Sequence, residues 1–302
     1  MTAKHIAFIG LGAMGRSMAL LLAKKRASEA EKVVAFDVEA ARLVGLEAPG
    51  LVATTDRNEI AGAEVLFLCL PDGDVVFDVL FGADGVAARL AEGAIVVDLS
   101  TTAHAKSLEI GEALAAQGKT FIDAPVSGAP AGAAAGTLTI MCGGDAATYE
   151  AVHPLLARIG TTLLLMGPAG SGQLTKTFNN LIYDINIAAL AEVLPVAVAM
   201  GLNPDKFAEV VTTGTSRSYA SQYFVPRIMK RLFDEGYPLG KAYKDLVSAA
   251  ALGAEGKFPM PVTAAATASY QFALRAGHGD KDKGAMILPF EDMLKVQFIS
   301  KD

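Results

Sequence analysis

Lys176 and Asn180 are the residues in this sequence best placed to move a proton at a bound ligand. Their spacing of four residues puts both side chains on one face of a helix, and Gly172, four residues earlier, leaves room for a ligand on that face. Desolvation and the helix dipole favour the neutral form of a lysine near the start of a helix. We therefore predict that Lys176 exchanges a proton with a substrate; the alternative is an ordinary solvated lysine.

The four histidines are weaker candidates for acid–base chemistry. His5 precedes the first predicted strand, His104 and His153 are predicted to begin helices, and His278 lies in a polar loop. None of them belongs to a recognisable pocket motif. We interpret all four as capping or surface residues.

A glycine-rich segment near the N-terminus has the spacing of a dinucleotide-binding turn. It fits the pattern G-x-G-x-x-G between a predicted strand at 6–9 and a predicted helix at 15–25, which is the context that the pattern requires. The segment consists of Gly10, Leu11, Gly12, Ala13, Met14 and Gly15. Free amides at the start of such a helix bind phosphate groups. The alternative is an ordinary tight turn.

Asp37 follows the second predicted strand, 22 residues after Gly15. A carboxylate at this place accepts hydrogen bonds from the adenosine ribose hydroxyls and repels a 2′-phosphate. The sequence therefore favours NAD as the cofactor, while Arg42 leaves NADP open. A helix cap is the alternative role for Asp37.

Two further turns follow predicted strands. Leu70 and Pro71 end one strand, and Ser100 and Thr101 follow the next. Ligands of open α/β sheets bind beyond the carboxyl ends of the strands, so these turns are expected to line the adenine and the nicotinamide ribose. The alternative is that both turns are plain helix N-caps.

These residues need a scaffold, and the apolar pattern predicts one. Continuous apolar runs of four to seven residues alternate with helical stretches, which is typical of a parallel sheet buried on both faces. The runs lie at 6–9, 33–36, 65–70, 95–99, 120–124, 137–142 and 161–166. We predict a doubly wound α/β domain of Rossmann type at 1–166, and we interpret Ser127–Gly136 as a structured loop within it.

The alternation of apolar runs and helical stretches ends after residue 166. Glycines at 167–172 precede a long stretch with no turn signal except Pro195, which we expect to kink a helix. Beyond it, helical stretches are separated by breaks rich in glycine, proline and asparagine, at 201–204, 214, 236–238 and 256–259. We predict an all-helical domain at 167–302 that is joined to the first by a long helix and serves substrate binding and oligomerisation.

Composition narrows the function classes. The chain has 302 residues and a net charge of −6, which argues against a nucleic-acid binder. Two cysteines, Cys69 and Cys142, cannot form a disulfide framework or a zinc site alone, so we predict buried thiols and no metal. We find no signal peptide, and the longest apolar candidate for a membrane span, inside 186–202, is interrupted by Glu192 and Pro195. We expect a soluble, cytoplasmic protein.

Four sequence blocks together resemble the β-hydroxyacid dehydrogenase family, which includes 3-hydroxyisobutyrate dehydrogenase and tartronate semialdehyde reductase. The blocks are GLGAMGRSMA, DAPVSGAPAGAAAGTLTIMCGG at 123–144, GPAGSGQLTKTFNN at 167–180, and KDL at 244–246. The resemblance implies that Lys176 is the catalytic acid/base and that Asn180 orients the substrate. It also implies substrate contacts from Ser127, Gly128, Ala129, Tyr219 and Phe224, and cofactor contacts from Leu70, Pro71, Val75, Ser100, Thr101 and Lys244.

Three features depart from the family pattern. Ala129 stands where the family loop usually has a second glycine, which costs on the order of a kcal/mol if the position needs a positive φ. His104 stands at about the place of a usual proline. The segment 212–224 lacks clear counterparts, and its Arg217 is either a contact for a second carboxylate or a surface residue. These departures leave the substrate open.

The resemblance implies an NAD(P)-dependent oxidoreductase that interconverts a small 3-hydroxy acid and its semialdehyde, and a homodimer or homotetramer. Two alternatives remain. One is a related reductase of another small carboxylated carbonyl or imine substrate. The other is a non-catalytic NAD-binding sensor, which would have no need of Lys176, Asn180 or Ser127.

Overall fold

The computed structural model describes residues 5–301, which form two compact units that divide between Lys176 and Thr177. The first unit is built on one sheet, and the second is helical.

Within residues 5–301, nine strands form the sheet of the first unit. They are β1 His5–Ile9, β2 Lys32–Phe36, β3 Leu51–Thr54, β4 Val65–Leu68, β5 Ile95–Asp98, β6 Thr120–Asp123, β7 Val126–Ser127, β8 Leu138–Gly143 and β9 Gly160–Gly167. Strands β1 to β6 are all parallel and lie in the order β3-β2-β1-β4-β5-β6, the arrangement of dinucleotide-binding sheets. The predicted Rossmann-type domain is confirmed.

Helices cover both faces of this sheet. They are α1 Gly15–Lys24, α2 Gly73–Phe81, α3 His104–Ala115, α4 Ala129–Ala135 and α5 Ala146–Leu156. Alternate residues of β1 enter opposite cores: Ile6 and Phe8 pack with α1, α4 and α5, whereas Ala7 and Ile9 pack with α2 and α3. Burial on both faces explains why the strands read as continuous apolar runs.

The structure corrects four details of the sequence prediction. The sheet is mixed, because β8 runs antiparallel to β6 and β7. The half-exposed edge strand β3 and the two-residue β7 were not predicted. Most of the predicted loop Ser127–Gly136 is the helix α4, and His153 lies inside α5 rather than at its start.

The second unit consists of helices that end close to the predicted breaks, as an all-helical domain requires. They are the long helix α6 Ser171–Ala199, which begins in the first unit, then α7 Pro204–Thr213, α8 Tyr219–Met229, α9 Leu239–Glu255, α10 Pro261–Arg275 and α11 Ile287–Leu294. Local capping sets these boundaries. The Asn203 side chain accepts a hydrogen bond from the Lys206 amide, and Ser218 and Ser221 form a reciprocal capping box.

Helix α6 continues through Pro195 to a length of 29 residues. By length and composition alone it is apolar enough to cross a membrane, which corrects the expectation that no segment qualifies. Core helices of soluble proteins meet the same criterion, and Ile187, Ala191 and Leu194 of α6 are fully buried in the core of the helical unit. The finding is therefore weak evidence for a membrane span.

Candidate functional site

The glycine-rich turn has two positions that only glycine can occupy. Gly10 has a φ of 98°, and a Cβ atom on it would lie 2.2 Å from the Cys69 carbonyl oxygen. A Cβ atom on Gly15 would lie 1.8 Å from the Gly10 carbonyl oxygen, so α1 packs directly on the turn. At Gly12 a Cβ atom would meet nothing closer than the Arg42 guanidinium at 3.6 Å. The open position is thus the one where a pyrophosphate approaches the backbone in such turns.

Asp37 is buried and holds this turn in place. Its Oδ2 atom accepts a hydrogen bond from the Leu11 amide at 2.7 Å, and its Oδ1 atom accepts one from the Glu39 amide at 2.9 Å. The Arg42 guanidinium lies 3.4 Å from Oδ2 and pairs at 2.8 Å with Glu39. An arginine and two carboxylates therefore meet beside the first glycines, and Asp37 caps none of the helices of residues 5–301.

The turns after β4 and β5 are joined by the Ser100 hydroxyl. Its oxygen accepts a hydrogen bond from the Leu70 amide at 2.9 Å, and it also bonds the Asp98 carboxylate. Ser100 is buried, so its hydroxyl serves the protein itself. Neither turn is a plain helix cap: α2 is capped by the Asp72 side chain, and α3 begins only at His104. Thr101 is half-buried, and Pro71 and Val75 are exposed at the same end of the sheet.

Two buried carboxylates stand beneath these turns, at the ends of β5 and β6. Asp98 and Asp123 are register partners in the sheet and are fully buried. Asp98 accepts hydrogen bonds from the Ser100 amide at 2.9 Å and the Thr102 hydroxyl at 3.0 Å. Burial raises the pKa of Asp98 from its ordinary 3.8 to about 6, and the neighbouring Asp123 adds to the rise.

Asp123 anchors the start of α6. Its two oxygens accept hydrogen bonds from the Gly170 amide at 2.7 Å and the Gln173 amide at 2.8 Å. Burial raises the pKa of Asp123, and these backbone amides oppose the rise. Sequence reasoning missed both aspartates, although an acidic residue inside an apolar strand run was a visible signal.

Lys176 lies half-buried one turn further along α6. Its Nζ atom donates a hydrogen bond of 2.8 Å to the carbonyl oxygen of Val126. Val126 precedes Ser127, so the ammonium group bonds the strand that leads into the predicted substrate loop. In that loop Gly128 has a φ of 142° and Ala129 a φ of 57°. Ala129 therefore has the positive φ at which an alanine is expected to be less favourable than the usual glycine.

In the helical unit, Asn180 is held by an aspartate. Its amide nitrogen donates a hydrogen bond of 2.8 Å to Asp245 Oδ2 of α9. Asp245 follows Lys244, which is half-buried on the same helix. Sequence reasoning noted Asp245 only as a neighbour of Lys244, and a contact between residues 65 positions apart leaves no local signal.

The two predicted aromatic residues belong to one cluster in the helical unit. Tyr219 is 61% exposed and stacks near Tyr183 and Tyr223, whereas Phe224 is buried against Tyr183. Beneath them the buried Lys283 bonds Asp184 at 2.5 Å and lies 4.1 Å from the Tyr183 ring centre. Arg217 is exposed. A surface hollow of about 630 Å³ between α9 and α10 contains none of the predicted site residues.

The cysteines and the metal-binding residue types form no further site. Among residues 5–301 no group of three His, Cys, Asp or Glu side chains could hold a metal ion. Cys69 and Cys142 are free thiols: Cys142 is buried as predicted, whereas Cys69 lies just after β4 and is only half-buried. Burial raises the pKa of each thiol to about 12.

The burial of Asp98 predicts a pH dependence of stability. A carboxyl whose pKa is raised in the folded state stabilises the fold fully below pH 3.8, and this contribution is lost as the pH rises through about 6. Across that window the wild type should lose at most about 3 kcal/mol relative to Asp98→Asn, which cannot ionise. Thermal unfolding midpoints of both proteins between pH 4 and 8 measure the difference. A constant difference would contradict the assignment.

Comparisons with known proteins agree with this arrangement. Residues 5–167 match the model of the NAD binding domain of 6-phosphogluconate dehydrogenase, and residues 170–290 match that of the NAD-binding domain of NADP-dependent 3-hydroxyisobutyrate dehydrogenase. The chain is 37% identical to 2-(hydroxymethyl)glutarate dehydrogenase of Eubacterium barkeri, with 96% of each protein covered. It is 33% identical to NAD-dependent L-serine dehydrogenase of Pseudomonas aeruginosa, with 92% of this chain and 95% of that protein covered.

A solved structure shows the same architecture. The crystal structure of 3-hydroxyisobutyrate dehydrogenase from Salmonella typhimurium superposes with a TM-score of 0.84 at 28% identity, covering 94% of this chain and 99% of that one. Both domain models, the relatives that match along the chain and the solved structure thus indicate one family of enzymes. The chain belongs to the 3-hydroxyisobutyrate dehydrogenase, or β-hydroxyacid dehydrogenase, family of NAD(P)-dependent dehydrogenases that act on the CH–OH group.

Proposed function

We propose that this protein interconverts a small 3-hydroxy acid and its semialdehyde, with Lys176 as the proton acceptor and donor. The bond from Lys176 Nζ to Val126 carries the proposal, because it holds the ammonium group beside the Ser127 loop. The compounds named for the relatives 2-(hydroxymethyl)glutarate dehydrogenase, L-serine dehydrogenase and 3-hydroxyisobutyrate dehydrogenase support the substrate class. Each carries a primary alcohol on the carbon next to the one that bears a carboxylate.

In this proposal the first unit holds the carboxylate and the alcohol. The Ser127 hydroxyl and the amides of Gly128 and Ala129 bind the carboxylate; Ser127 is half-buried at the end of β7, and Gly128 and Ala129 after it are exposed. In the oxidative direction Lys176 takes the hydroxyl proton as the neutral amine and becomes the ammonium form, while the alcohol carbon gives up a hydride. In the reductive direction its ammonium group donates a hydrogen bond to the carbonyl oxygen and stabilises the developing alkoxide. The bound nicotinamide supplies the chemistry of accepting or donating the hydride.

The helical unit supplies orientation and shape. Asn180, fixed by Asp245, is proposed to direct the substrate alcohol, and Tyr219 to contact the remainder of the substrate. Phe224 is buried, so its proposed part is to support Tyr183 and the aromatic cluster. Following the predicted domain boundary at residue 166, we propose a dinucleotide-binding domain at 1–166, which also contributes the Ser127 loop to substrate binding, and a substrate and oligomerisation domain at 167–302.

The cofactor is proposed to be NAD. The turn Gly10–Gly15 fits a pyrophosphate, since Gly12 presents open backbone, and we assign the ribose contact to Asp37, which bonds the Leu11 amide of this turn. Glu39 neutralises Arg42, the nearest guanidinium that a 2′-phosphate could use. Further contacts are assigned to Leu70, Pro71, Val75, Ser100, Thr101 and Lys244. Because its hydroxyl is engaged within the protein, Ser100 would act mainly by shaping the turn.

A cytoplasmic location is proposed from the thiols. Cys69 and Cys142 are both free, which fits a reducing compartment. The relatives include one mitochondrial 3-hydroxyisobutyrate dehydrogenase, from Drosophila melanogaster. Fractionation of the source cells would locate the protein.

Replacing Lys176 tests the proposed function. Lys176→Met should lower kcat by about 10²- to 10⁴-fold, because the alcohol proton loses its acceptor. The measurement is NAD reduction at 340 nm with 3-hydroxypropionate, 3-hydroxyisobutyrate, L-serine, glycerate and 2-(hydroxymethyl)glutarate. The control is Lys230→Met, another lysine of the chain that lies outside the site. We expect turnover in the wild type, turnover reduced by that factor in Lys176→Met, and NADH binding retained in both. No turnover of any of the five compounds by the wild type favours the NAD-binding sensor.

Replacing Glu39 tests the cofactor preference. The wild type should use NAD better than NADP, and Glu39→Gln should improve kcat/KM for NADP by about fivefold, because it releases Arg42 from an exposed ion pair. Asp37 and its bond to Leu11 remain in this variant. Glu92→Gln, on an exposed residue before β5, is the matched control. A wild type that prefers NADP would refute the assignment.

The exposed face of α6 supports a homo-oligomer. Apolar side chains recur along it at helical spacing and are exposed within the described residues 5–301: Phe178, Ile182, Val193 and Val196, with Met200 just beyond the end of the helix. Val193→Asp should therefore lower the mass measured by light scattering towards the 31.3 kDa of one chain. Val210→Asp, at an exposed valine of α7, should leave the mass unchanged. A wild type that already has the mass of one chain would end this proposal.

A further inference from the structure

Gln173 is a fully buried polar side chain in the first turn of α6. Both ends of its amide are engaged by the loop that follows β5. Its Oε1 atom accepts a hydrogen bond from the Thr102 amide at 3.0 Å, and its Nε2 atom donates one to the Ser100 carbonyl oxygen at 2.8 Å. The side chain therefore ties two backbone groups of one loop to the helix that carries Lys176.

Both partners of this tie are fixed to the sheet. The loop is held by the Asp98 carboxylate through Ser100 and Thr102, and the helix start is held by the Asp123 carboxylate through the amides of Gly170 and Gln173. Asp98 and Asp123 are themselves partners across β5 and β6. Asp98 thus bonds the loop, Asp123 bonds the helix start, and Gln173 bonds the loop to the helix start, which closes the hydrogen-bonded network.

A second hydrogen bond joins the region after β5 to the start of α6. The His104 Nδ1 atom hydrogen-bonds the Gly170 carbonyl oxygen at 3.1 Å. This bond lies on the outer side of the helix start, where His104 is half-buried, whereas Gln173 lies inside. The loop and the start of α6 are thus joined by two side chains, His104 and Gln173. Only Gln173 bonds both Ser100 and Thr102.

We propose that Gln173 is a positioning residue for hydride transfer: it sets the distance between the Ser100–Thr102 loop, which flanks the nicotinamide ribose, and the Lys176 side chain. The inference rests on the proposed function, since it needs Lys176 to act on the substrate. A side-chain amide is suited to this task because it donates and accepts at once. Small errors in the relative position of reacting groups cost large factors in rate.

The test begins with Gln173→Met, which keeps the length of the side chain and removes the donor and the acceptor. With NAD and 3-hydroxypropionate as the probe, kcat should fall by about tenfold or more, while KM and the NADH dissociation constant stay within about threefold of the wild type. NADH fluorescence reports the binding, and the chain has no tryptophan to interfere. Gln271→Met, at an exposed glutamine that bonds Tyr243, is the matched control and should keep the rates of the wild type.

A kinetic isotope effect separates positioning from a loss of folded protein. With 3-hydroxypropionate dideuterated at C3, Gln173→Met should show a larger effect on kcat than the wild type, because slower hydride transfer limits turnover more completely. A merely structural role would reduce the amount of active enzyme and leave the isotope effect unchanged. That outcome, or a kcat within about twofold of the wild type, overturns the proposal.

Gln173→Glu adds a rescue that depends on pH. The protonated acid can donate to Ser100 and accept from Thr102, whereas the carboxylate cannot donate. The titratable groups on the elements packed around it are Asp98 of β5, Asp123 of β6, His104 of α3 and Lys176 of α6, so rates are compared with the wild type at each pH. The ratio of Gln173→Glu to wild-type kcat should rise as the pH falls, and that of Gln173→Met should not. Parallel ratios for the two variants would overturn the proposal.

These outcomes are distinguishable from a failure of the proposed function. If Lys176→Met loses turnover and Gln173→Met keeps both turnover and isotope effect, the role of Gln173 is wrong and the proposed function stands. If Lys176→Met keeps turnover, the proposed function fails, and this proposal fails with it.

Discussion

The bond between the Asp123 carboxylate and the first turn of α6 is the interaction on which the rest of the site depends. Asp123 ends a strand inside the sheet, and its oxygens accept the amides of Gly170 and Gln173. The first amides of a helix have no acceptor within the helix, and together with the positive end of the helix dipole they stabilise a negative charge at this place. The helix of 29 residues therefore starts at a point fixed by the sheet, and Lys176 inherits that position.

The same arrangement has a cost, which lies in two acids buried side by side. Asp98 and Asp123 disfavour each other's ionised form, and burial raises the pKa of both. Apolar side chains at these positions would avoid the desolvation penalty, but they could not hold the amides of a loop and a helix start. The two carboxylates lower the stability of the fold, but they fix the positions of the loop after β5 and of the start of α6.

Local sequence patterns predicted the strands, helices and turns, whereas the geometry of the site depends on contacts between residues that are distant in sequence. The βαβ rhythm, the Gly10–Gly15 turn and the helix breaks were readable because each depends on neighbouring residues. The reversal of β8 was not, because antiparallel pairing with β6 depends on the path of the chain through β7 and α4. Likewise nothing near Ser100 shows that its hydroxyl bonds Leu70, 30 residues away. Asp98 and Asp123 were readable only as charges out of place in apolar runs.

The departures from the family pattern acquire a physical meaning in the same network. A histidine at position 104 brings a ring N–H that a proline lacks, and this donor reaches the Gly170 carbonyl at the start of α6. Ala129 adopts a φ of 57°, a conformation that costs roughly 1–2 kcal/mol for a residue with a Cβ atom. The strained residue is the first of α4, and it lies two residues after the end of β7. The chain therefore carries a strained residue in the Ser127 loop and an added bond at the start of α6. Lys176 is related to both places, because it is carried by α6 and bonds β7, the strand that leads into the loop.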